Sequence, residues 1–573
     1  MRGSRQALAE TVGGWGDQRQ PLHPPPLPSP LPQGEKESDV KLKPHKTRHY
    51  NHNTPNVVFN PLHEAAVLAK VFSAGLLGLD AHLIEVEVDI GGGLPQFSIV
   101  GLPDATVRES RDRIRAALKN IGFAFPPKKI TINLAPAGLK KEGAGLELSM
   151  AVGILVAEDI IAQKTAQHYV LVGELSLDGR IKPIKGGLSI GMLCQNRHPL
   201  ILPDENAREA AVIDHVEVYG VHTLPEVVEQ LTGKRHVAPL LVDRQSFFQS
   251  CSAPEEDFAE VRGQFHAKRA LEIAAAGGHN VLLVGPPGSG KTMLAQRLPG
   301  ILPRLSVQEA LETTRVHSVA GTLPANQSLI TTRPFRAPHH NVSDAGLIGG
   351  GTIPRPGEVS LAHNGVLFLD EMLEFKRSVL DGLRQPLEEG TVTVTRVNAS
   401  LQYPARFMLV VAMNPCPCGY HGDRTRECIC SPQQIRRYRG RLSGPLRDRL
   451  DIHVEVPAVP VSDLGHDQSA ERSDSIRKRV ADARHIQANR YTTDRLFTNA
   501  QLKPRHMKTH CRVDQAGKQL LDQAVTRLGL SARAYGRILR VARTIADLAD
   551  SETIEPSHLA EAIQYRNLDR TTT

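Results

Sequence analysis

One stretch of the sequence combines glycines, a lysine and a threonine in the spacing of a phosphate-binding loop. It reads Gly285-Pro286-Pro287-Gly288-Ser289-Gly290-Lys291-Thr292. The apolar run 281–284 precedes it and helix-like residues 293–298 follow it, so backbone N–H groups and a helix dipole both face a bound phosphate. In such loops the lysine reaches the β- and γ-phosphates and the hydroxyl holds Mg²⁺. The pattern predicts a nucleotide site in which Lys291 binds phosphate and Thr292 binds the metal.

Two further apolar runs end in the polar residues that a hydrolytic site needs. Run 366–369 ends in Asp370 and Glu371, and run 408–413 ends at Asn414. A carboxylate at a strand tip beside the phosphate-binding loop holds Mg²⁺, and further polar groups orient the attacking water. We therefore assign Asp370 to the metal, Glu371 to activation of the water and Asn414 to its positioning. An ordinary turn residue is the alternative for Asn414.

The composition is that of a globular protein with several domains. The chain has 573 residues, of which 40% are hydrophobic, and a formal net charge of +8. A single hydrophobic core rarely grows to this length. No apolar run approaches the roughly 18 residues that a membrane span needs, and the first residues lack the apolar core of a signal peptide. We therefore expect a cytoplasmic protein that does not associate with membranes.

Arginines are concentrated in a basic span between residues 424 and 449. The span contains Arg424, Arg426, Arg436, Arg437, Arg439, Arg441, Arg447 and Arg449. Such a concentration suits nucleotide phosphates, nucleic acid or an acidic neighbouring subunit. A solvated basic face is the alternative.

Four cysteines lie within the same short segment. They form the pairs Cys416-x-Cys418 and Cys428-x-Cys430, with His421 between the pairs. Four thiolates can hold a structural Zn²⁺ in tetrahedral geometry, although the C-x-C spacing is tighter than is usual for zinc ligands. Disulfides are rare in the cytosol. The segment therefore predicts either a structural zinc site or a set of reduced, metal-free thiols.

Pattern changes divide the chain into a tail and three folded regions. Residues 1–63 are proline-rich and polar without periodicity, which is typical of a disordered tail. Residues 69–235 alternate between strand and helix patterns and contain the hairpin signal Asp178-Gly179. We expect a polar linker over 236–257, an α/β nucleotide-binding core over 258–460 and an all-α lid over 475–569.

Several long segments outside these motifs are specific enough to compare with known families. They include Phe97-Ser98-Ile99-Val100-Gly101-Leu102-Pro103, Phe335-Arg336-Ala337-Pro338-His339-His340, Ala362-His363-Asn364-Gly365 and Met413-Asn414-Pro415-Cys416. These segments resemble the YifB/ComM family of magnesium-chelatase-like AAA+ ATPases over nearly the whole span from residue 69 to 569. The resemblance implies ATP and Mg²⁺ as cofactors, an AAA+ P-loop α/β motor and an all-α C-terminal lid.

The same resemblance implies roles for residues outside the three strand ends. In AAA+ proteins the segment that here contains Phe258 and Gln264 lies against the adenine. Arg449 matches the arginine finger that reaches the ATP of a neighbouring subunit, and Arg533 matches the sensor arginine of the lid, with Arg537 as a substitute. A finger supplied by a neighbour implies a ring, and the family leads us to expect a homo-hexamer.

The first domain resembles the S5-type α+β proteolytic domain of Lon proteases. Gly145 stands where the catalytic serine would be, and Ser189 stands where the lysine would be. A lysine-activated serine needs both groups within hydrogen-bond reach, and Ser149 and Lys185 are weak substitutes. The resemblance therefore implies this fold without its peptidase chemistry, in a binding or assembly domain.

Two segments resemble the additional insertions that relatives in this clade of AAA+ proteins carry. Residues 313–358 include the adjacent pair His339 and His340, which we expect to point apart rather than share a metal. A hairpin is expected over 391–397, and because such hairpins line the pore of related rings, Arg396 is a candidate DNA contact. An ordinary hairpin at a sheet edge is the alternative.

The resemblance implies an ATP-driven ring motor that acts on branched or single-stranded DNA. Family members of this kind extend joint molecules by branch migration during recombination and natural transformation. The ATPase subunit of a magnesium chelatase is the runner-up. An ATP-dependent protease is disfavoured because the residues of the dyad are absent.

Overall fold

A computed structural model of the protein describes residues 68–249, 256–324, 327–351, 354–396, 399–423, 426–458, 471–492, 494 and 496–566. The tail that we predict at residues 1–63 lies outside the described residues, as does Arg424 of the basic span. None of the helices in the described ranges is long and apolar enough to span a membrane.

The first domain is built on a seven-stranded mixed sheet. Its strands are β1 (Ala69–Leu77), β2 (Asp80–Gly91), β3 (Gln96–Val100), β4 (Lys129–Ala135), β5 (Val170–Leu171), β8 (Leu200–Pro203) and β9 (Val218–Val221). They lie in the order β3-β4-β2-β1-β5-β8-β9. Strand β2 pairs antiparallel with β1 and β4, and the other neighbours are parallel. The predicted turn at Asp178-Gly179 is confirmed, since it joins β6 (Glu174–Leu175) to the antiparallel β7 (Ile181–Lys182).

Six helices belong to this first domain. They are α1 (Ala105–Asn120), α2 (Glu147–Ala157), α3 (Gln163–Ala166), α4 (Gly187–Cys194), α5 (Asp204–Ala210) and α6 (Leu224–Leu231). Helix α1 begins at Asp104, whose side chain accepts a hydrogen bond from the backbone N–H of Val107. Its apolar residues recur at helical spacing and pack into one core with the inward residues of β2 and β4.

The second domain contains a five-stranded sheet in which all strands are parallel. The strands are β10 (Val281–Val284), β11 (Phe335–Arg336), β14 (Val366–Leu369), β17 (Met408–Met413) and β18 (Ile452–Glu455). They lie in the order β11-β14-β17-β10-β18. The three central strands are apolar throughout and fully buried, as expected for strands covered by helices on both faces. The carboxyl ends of all five strands therefore meet at one edge.

Helices and two small hairpins surround this sheet. The helices are α7 (Arg244–Gln249), α8 (Phe265–Gly277), α9 (Lys291–Ile301), α10 (Val307–Ala320), α11 (Asp344–Ile348), α12 (Glu358–Leu361), α13 (Arg377–Gly382), α14 (Arg384–Glu389), α15 (Pro432–Arg439) and α16 (Gly444–Arg447). One hairpin pairs β12 (Gly349–Gly350) with β13 (Arg355–Pro356), and the other pairs β15 (Thr391–Arg396) with β16 (Ala399–Pro404).

The C-terminal region is entirely helical in its described part. It comprises α17 (Ser473–Arg490), α18 (Pro504–His510), α19 (Gln515–Leu528), α20 (Ala532–Leu548) and α21 (Pro556–Gln564). Apolar residues of α17, α20 and α21 join the core of the five-stranded sheet. The helices are therefore anchored on the sheet that carries the phosphate-binding loop.

Two segments have local structure that the sequence patterns left open. The segment that we expect to be a polar linker contains α7, and Phe247 and Phe248 pack against an apolar cluster that joins the two domains. The hairpin of β15 and β16 forms its own two-stranded sheet, so it is not an edge of the five-stranded sheet. In both places apolar side chains pack against neighbouring elements.

Candidate active site

Three neighbouring strands deliver the predicted catalytic residues to one edge of the sheet. The phosphate-binding loop follows β10, Asn414 follows β17, and Asp370 follows β14. Val284 at the end of β10 is in register with Met413 of β17, and Leu369 of β14 pairs with Val411 of the same strand. The parallel order β14-β17-β10 therefore brings together residues that are far apart in the sequence.

The phosphate-binding loop uses glycine where other side chains do not fit. Gly288 and Gly290 have φ angles of 74° and 89°, a region that favours glycine. A Cβ atom on Gly285 would lie 2.1 Å from the carbonyl oxygen of Val456. The hydroxyl of Ser289 is buried and has no hydrogen-bond partner among the described residues. An open turn with an unused buried hydroxyl fits a phosphate group.

Lys291 lies at the centre of this loop. Its Nζ donates to the carbonyl oxygens of Gly285 and Pro286 at 2.9 Å and 2.8 Å, and to Oδ1 of Asn414 at 3.3 Å. Burial lowers the pKa of the Lys291 ammonium, while the charges of Asp370 and Glu371 oppose that shift. Lys291 therefore links the loop to the predicted water-positioning residue, and its hydrogen bonds can transfer to phosphate oxygens.

Thr292 and Asp370 form the predicted metal-binding pair. The Thr292 hydroxyl donates to Oδ2 of Asp370 at 2.6 Å. A hydroxyl and a carboxylate are hard oxygen ligands of the kind that Mg²⁺ prefers. Together with the loop glycines and the Lys291 ammonium, this pair fits ATP with bound Mg²⁺. Lys291, Thr292, Asp370 and Asn414 are called the phosphate cluster below.

Glu371 lies beside the phosphate cluster and is largely exposed to solvent. Its backbone adopts a left-handed conformation with φ of 48°, and its side chain is 60% exposed. Nδ1 of His340 lies 3.9 Å from a carboxylate oxygen of Glu371. His340 follows β11, the edge strand next to β14, and sequence reasoning did not connect it with Glu371. Only the strand order brings the two residues together.

A cavity of about 280 Å³ lies beside these residues. Its lining includes Thr292, Phe335, His339, His340, Asp370 and Glu371. The expectation that the two adjacent histidines point apart is wrong, because the centroids of their rings lie 4.1 Å from each other. The ring contact places both imidazoles at the wall of the cavity, next to the predicted water-activating carboxylate.

The two residues predicted to lie against the adenine, Phe258 and Gln264, occupy different environments. Phe258 is fully buried in the core of the five-stranded sheet. Gln264 has a φ angle of 52°, and its side-chain amide donates to the carbonyl oxygens of Pro457 and Ser289, at 2.7 Å and 3.4 Å. Gln264 thus connects the phosphate-binding loop with the segment that follows β18.

The three predicted arginines pair with carboxylates of their own chain. The side chain of Arg449 is only 17% exposed, pairs with Glu388 and donates to the carbonyl oxygen of Pro445 at 2.5 Å. Burial, with the charges of Arg384 and Arg533, lowers the pKa of Arg449.

The other two arginines share one carboxylate. Arg533 is 73% exposed in its side chain and lies 3.3 Å from Asp448. Arg537 is buried and lies 3.8 Å from Asp448 and 3.6 Å from Asp451. Arg449, Arg533 and Arg537 are called the arginine cluster below. In the single chain each of the three pairs with a carboxylate, although Nε of Arg449 and Nη1 of Arg537 are buried without a hydrogen-bond partner among the described residues.

The four cysteines of the predicted zinc segment come together in space. Their Sγ atoms all lie within 4.8 Å of one another, and Cys416 is buried. The Sγ distances are 3.3 Å from Cys416 to Cys418, 3.7 Å from Cys416 to Cys428 and 3.6 Å from Cys418 to Cys428. Zn–S bonds of roughly 2.3 Å in a tetrahedron place sulfurs about 3.8 Å apart. Cys416, Cys418, Cys428 and Cys430 therefore have the arrangement of a tetrahedral thiolate site.

The basic span next to the cysteines has two kinds of arginine. The Nε atom of Arg439 donates to the carbonyl oxygen of Pro415 at 3.0 Å, and Arg441 lies 3.4 Å from Glu374. Arg436 and Arg437 are exposed on α15. Part of the span therefore holds the cysteine loop in place, and part faces solvent.

The residues considered for a Ser-Lys dyad are used in other contacts. The Ser149 hydroxyl donates to the carbonyl oxygen of Leu146 at 2.7 Å. The Ser189 hydroxyl donates to the carbonyl oxygen of Leu79 at 2.7 Å and accepts from Arg315 of α10 at 3.2 Å. Lys185 packs against Gly321, the residue that follows α10. Two of these residues thus contribute to the junction between the first domain and the ATPase domain.

The hairpin predicted to contact DNA has one buried face. Val392 and Val394 of β15 pack into the core, while Thr393 and Thr395 are exposed. Arg396 pairs through its backbone with Ala399 across the hairpin, and its side chain lies outside the described residues. The hairpin predicted from the alternation of valine and threonine is therefore confirmed, and one of its faces is buried.

Three stretches of the chain match magnesium-chelatase families. Residues 257–464 match the family described as "Magnesium chelatase, subunit ChlI". Residues 86–206 match "Subunit ChlI of Mg-chelatase", and residues 470–566 match "Magnesium chelatase, subunit ChlI C-terminal". The matches cover most of the first domain, the ATPase domain and the C-terminal helices.

Individual relatives match over much longer spans. The chain is 45% identical to the competence protein ComM of Haemophilus influenzae over 508 residues, which cover 88% of this chain and 98% of the relative. It is 43% identical to the uncharacterized protein YifB of Escherichia coli over 507 residues, with the same coverage of 88% and 98%. The magnesium-chelatase 38 kDa subunit of Rhodobacter capsulatus is 29% identical over 181 residues, 28% of this chain and 51% of that protein. With its parallel sheet and phosphate-binding loop, the chain belongs to the YifB/ComM family of magnesium-chelatase-like proteins, with an ATPase module of the AAA+ type.

Proposed function

We propose that the protein is an ATP-hydrolysing ring motor that moves DNA strands, acting in the cytoplasm as a branch-migration helicase during recombination or natural transformation. The observation that carries the ATPase part is the phosphate cluster, in which Lys291 reaches both the loop carbonyls and Asn414. The near full-length similarity to a relative named as a competence protein supports the DNA part.

The residues of the phosphate cluster and Glu371 divide the work of hydrolysis. Lys291 binds and neutralises phosphate charge, and Thr292 with Asp370 holds the metal ion. Glu371 takes a proton from the attacking water, and Asn414 fixes the position of that water. Bound ATP with Mg²⁺ supplies the phosphoryl group and the positive charge that stabilises its transfer.

The proposal includes a homo-hexameric ring. Arg449 contributes to the site of a neighbouring subunit in this arrangement, where a guanidinium stabilises the charge that develops on the transferred group. Native mass measurement of the protein with ATP and Mg²⁺ tests the assembly. A chain that stays monomeric under these conditions while hydrolysing ATP at full rate would rule out the ring.

The DNA substrate is tested with a mobile three-stranded junction. We expect ATP-dependent strand extension by the wild type and a steep fall of DNA binding with salt, because each basic contact to a phosphate releases counterions. Arg396→Ala should lower DNA-stimulated ATP hydrolysis and strand extension together. Arg377→Ala is the matched control, since its side chain is 83% exposed on α13, outside the hairpin. No strand extension by the wild type would overturn the DNA proposal.

The ATPase subunit of a magnesium chelatase is the second candidate. The similarity to two such 38 kDa subunits favours it, but it covers only 38% and 28% of this chain. Stimulation of ATP hydrolysis by branched DNA supports the motor. Stimulation by a tetrapyrrole with its partner subunits, and none by DNA, supports the chelatase.

The proposal assigns two roles outside the ATP site. The first domain is a Lon-like binding or assembly module without peptidase activity, and the four cysteines hold a structural Zn²⁺. Elemental analysis of protein made in zinc-replete cells should return about one zinc per chain, as a four-thiolate site binds a single ion. Protein that contains no zinc would remove the metal from the proposal and leave the ATP site untouched.

A further inference from the structure

The loop that contains the four cysteines touches the nucleotide site at two points. The first is covalent, because Asn414 is followed directly by Pro415 and Cys416. Asn414 in turn accepts a hydrogen bond from Lys291. One sulfur ligand therefore lies two residues from a side chain that contacts the phosphate-binding lysine.

The second point is a packing contact between the cysteine loop and the phosphate-binding loop. A Cβ atom on Gly419 would lie 2.6 Å from Cδ and 2.9 Å from Cγ of Pro287. No real Cβ atom tolerates such distances, so the backbone of Gly419 rests against the ring of Pro287 with no room to spare. The Gly419 backbone thus limits how far Pro287 of the phosphate-binding loop can move toward the cysteine loop.

Hydrogen bonds within the cysteine loop, two of them to sulfur atoms, set the position of Gly419. The residue follows Cys418 directly, and its N–H donates to the carbonyl oxygen of Cys416 at 3.0 Å. The backbone N–H of Cys418 donates to Sγ of Cys430 at 3.4 Å, and that of His421 donates to Sγ of Cys416 at 3.3 Å. A metal ion that fixes the four sulfurs also fixes this turn.

We propose that a Zn²⁺ ion bound by Cys416, Cys418, Cys428 and Cys430 holds the phosphate-binding loop in its binding conformation, so that metal loading sets the affinity for ATP. The inference rests on the proposed ATP and zinc sites and adds a coupling between them. Zinc is the expected ion because four thiolates in tetrahedral geometry favour it over Mg²⁺. ATP binding and metal loading are then linked, and each increases the affinity for the other.

Alanine substitutions at two glycines of this loop distinguish the effect of the contact with Pro287 from the effect of backbone strain. Gly419 and Gly422 have φ angles of 88° and 83°, so alanine is strained at both positions. An added Cβ at Gly422 meets no atom within 4 Å. Gly419→Ala and Gly422→Ala therefore share the strain, but only the former pushes on Pro287.

The test measures zinc content and affinity for a non-hydrolysable ATP analogue with Mg²⁺ in the full-length chain. Gly419→Ala should keep its zinc and bind the analogue about fivefold or more weakly, the usual lower range of a coupling between sites. Gly422→Ala should bind within about twofold of the wild type, since its side chain reaches nothing. Equal affinities of the two variants, with zinc retained, would overturn the inference.

Removal of the metal gives a second, independent measurement. A chelator that prefers Zn²⁺ to Mg²⁺ should weaken binding of the analogue by the wild type, and added Zn²⁺ should restore it, while circular dichroism reports retained helices. Because it uses the wild type, this measurement also tests the coupling if Gly419→Ala does not fold. Zinc-loaded and zinc-free proteins with equal affinity would refute the coupling but not the ATP site. Protein that never contains zinc would refute the metal site itself.

Discussion

The phosphate cluster, at the edge of the five-stranded sheet, and the arginine cluster, which includes two residues of the C-terminal helix α20, are organised differently. At one edge of the sheet, Lys291 donates to Asn414 and Thr292 donates to Asp370. Arg449, Arg533 and Arg537 instead pair with Glu388, Asp448 and Asp451. The first set is preorganised for a ligand that this chain binds. The second set is neutralised within the chain and can act on a neighbour only after its bonds are exchanged.

This difference has an energetic meaning. A preorganised site reorganises little when a ligand binds, and such sites stabilise transition states well. An arginine that leaves a carboxylate must gain at least as much from its new partner. The phosphate cluster should therefore work in the single chain, whereas the arginine cluster should depend on assembly. The following substitutions test that contrast, in order of decreasing expected effect.

Lys291→Ala should have the largest effect, because it removes the cation that contacts both the loop carbonyls and Asn414. We expect ATP binding to weaken and hydrolysis to fall below detection, in the monomer and in the ring alike. Binding of a fluorescent ATP analogue and phosphate release measure the two effects. Lys376→Ala, on the exposed surface of the same domain, is the control and should behave as the wild type. Normal turnover by Lys291→Ala would refute the phosphate cluster.

Arg449→Ala should leave ATP binding nearly intact and lower hydrolysis about 10³-fold to 10⁵-fold, the range of arginine fingers supplied by a neighbour. Mixing Arg449→Ala with Lys291→Ala subunits should recover some activity at mixed interfaces, because each variant supplies what the other lacks. Steady-state ATP hydrolysis across mixing ratios measures this recovery. Undiminished hydrolysis by Arg449→Ala alone would assign the finger to another residue, with Arg447 next in sequence.

Glu371→Gln should lower hydrolysis about 10²-fold to 10⁴-fold, which is the usual contribution of a general base. Glutamine keeps the shape of the side chain but cannot take the proton, so the variant should retain bound ATP. Single-turnover measurements separate this loss from binding. The control is Glu389→Gln, which changes an exposed glutamate at the end of α14. A variant Glu371→Gln that releases ATP as fast as Lys291→Ala would contradict the assignment.

Glu388→Gln should have a small effect and sharpens the comparison most directly. The carboxylate is 64% exposed, and exposed ion pairs contribute only about 0.2–1 kcal/mol to stability. If Glu388 merely holds Arg449 until a neighbour binds, its loss should leave hydrolysis by the ring within about threefold of the wild type. A loss as large as that of Arg449→Ala would show that Arg449 acts through Glu388 within its own chain. Assays of ATP hydrolysis by Glu388→Gln and Arg449→Ala at the same protein concentration distinguish these two outcomes.

The arginine-rich side of the sheet should also make stability sensitive to pH. Burial and the charges of Arg566, Arg537 and Arg447 hold the pKa of His453 well below its usual value. His453 is therefore neutral in the folded chain, whereas it takes up a proton near pH 6.5 when unfolded. Its contribution to stability is complete above about pH 6.5 and decreases as the pH falls below that value, by at most about 1.4 kcal/mol per pH unit.

Thermal unfolding between pH 7.5 and pH 5.5 measures this contribution. His453→Asn should unfold at a temperature that falls less with decreasing pH than that of the wild type, since it lacks the group that must take up a proton. His485→Asn changes a histidine on α17 with an accessible side chain and is the control. Identical pH dependence of wild type and His453→Asn would remove His453 as the cause.

The sequence by itself determined the phosphate-binding loop, the strand ends at Asp370 and Asn414, and most helices and strands around them. These features depend on neighbouring residues: glycines that adopt positive φ, apolar runs of strand length, and turn signals such as Asp178-Gly179. Local patterns of this kind can be recognised from the sequence without knowledge of the tertiary structure. The proximity of four cysteines could also be anticipated, because the two pairs lie in one short segment.

Only the tertiary structure placed His340 beside Glu371, Gly419 against Pro287, and Arg449 on Glu388. Each of these contacts joins residues from different elements, and each depends on the strand order or on the packing of a loop against its neighbour. The pairing of Ser189 with Arg315 has the same origin, because it exists only where the two domains meet. Residue types and spacing do not encode such distances, since many arrangements of the same elements would satisfy the same local patterns.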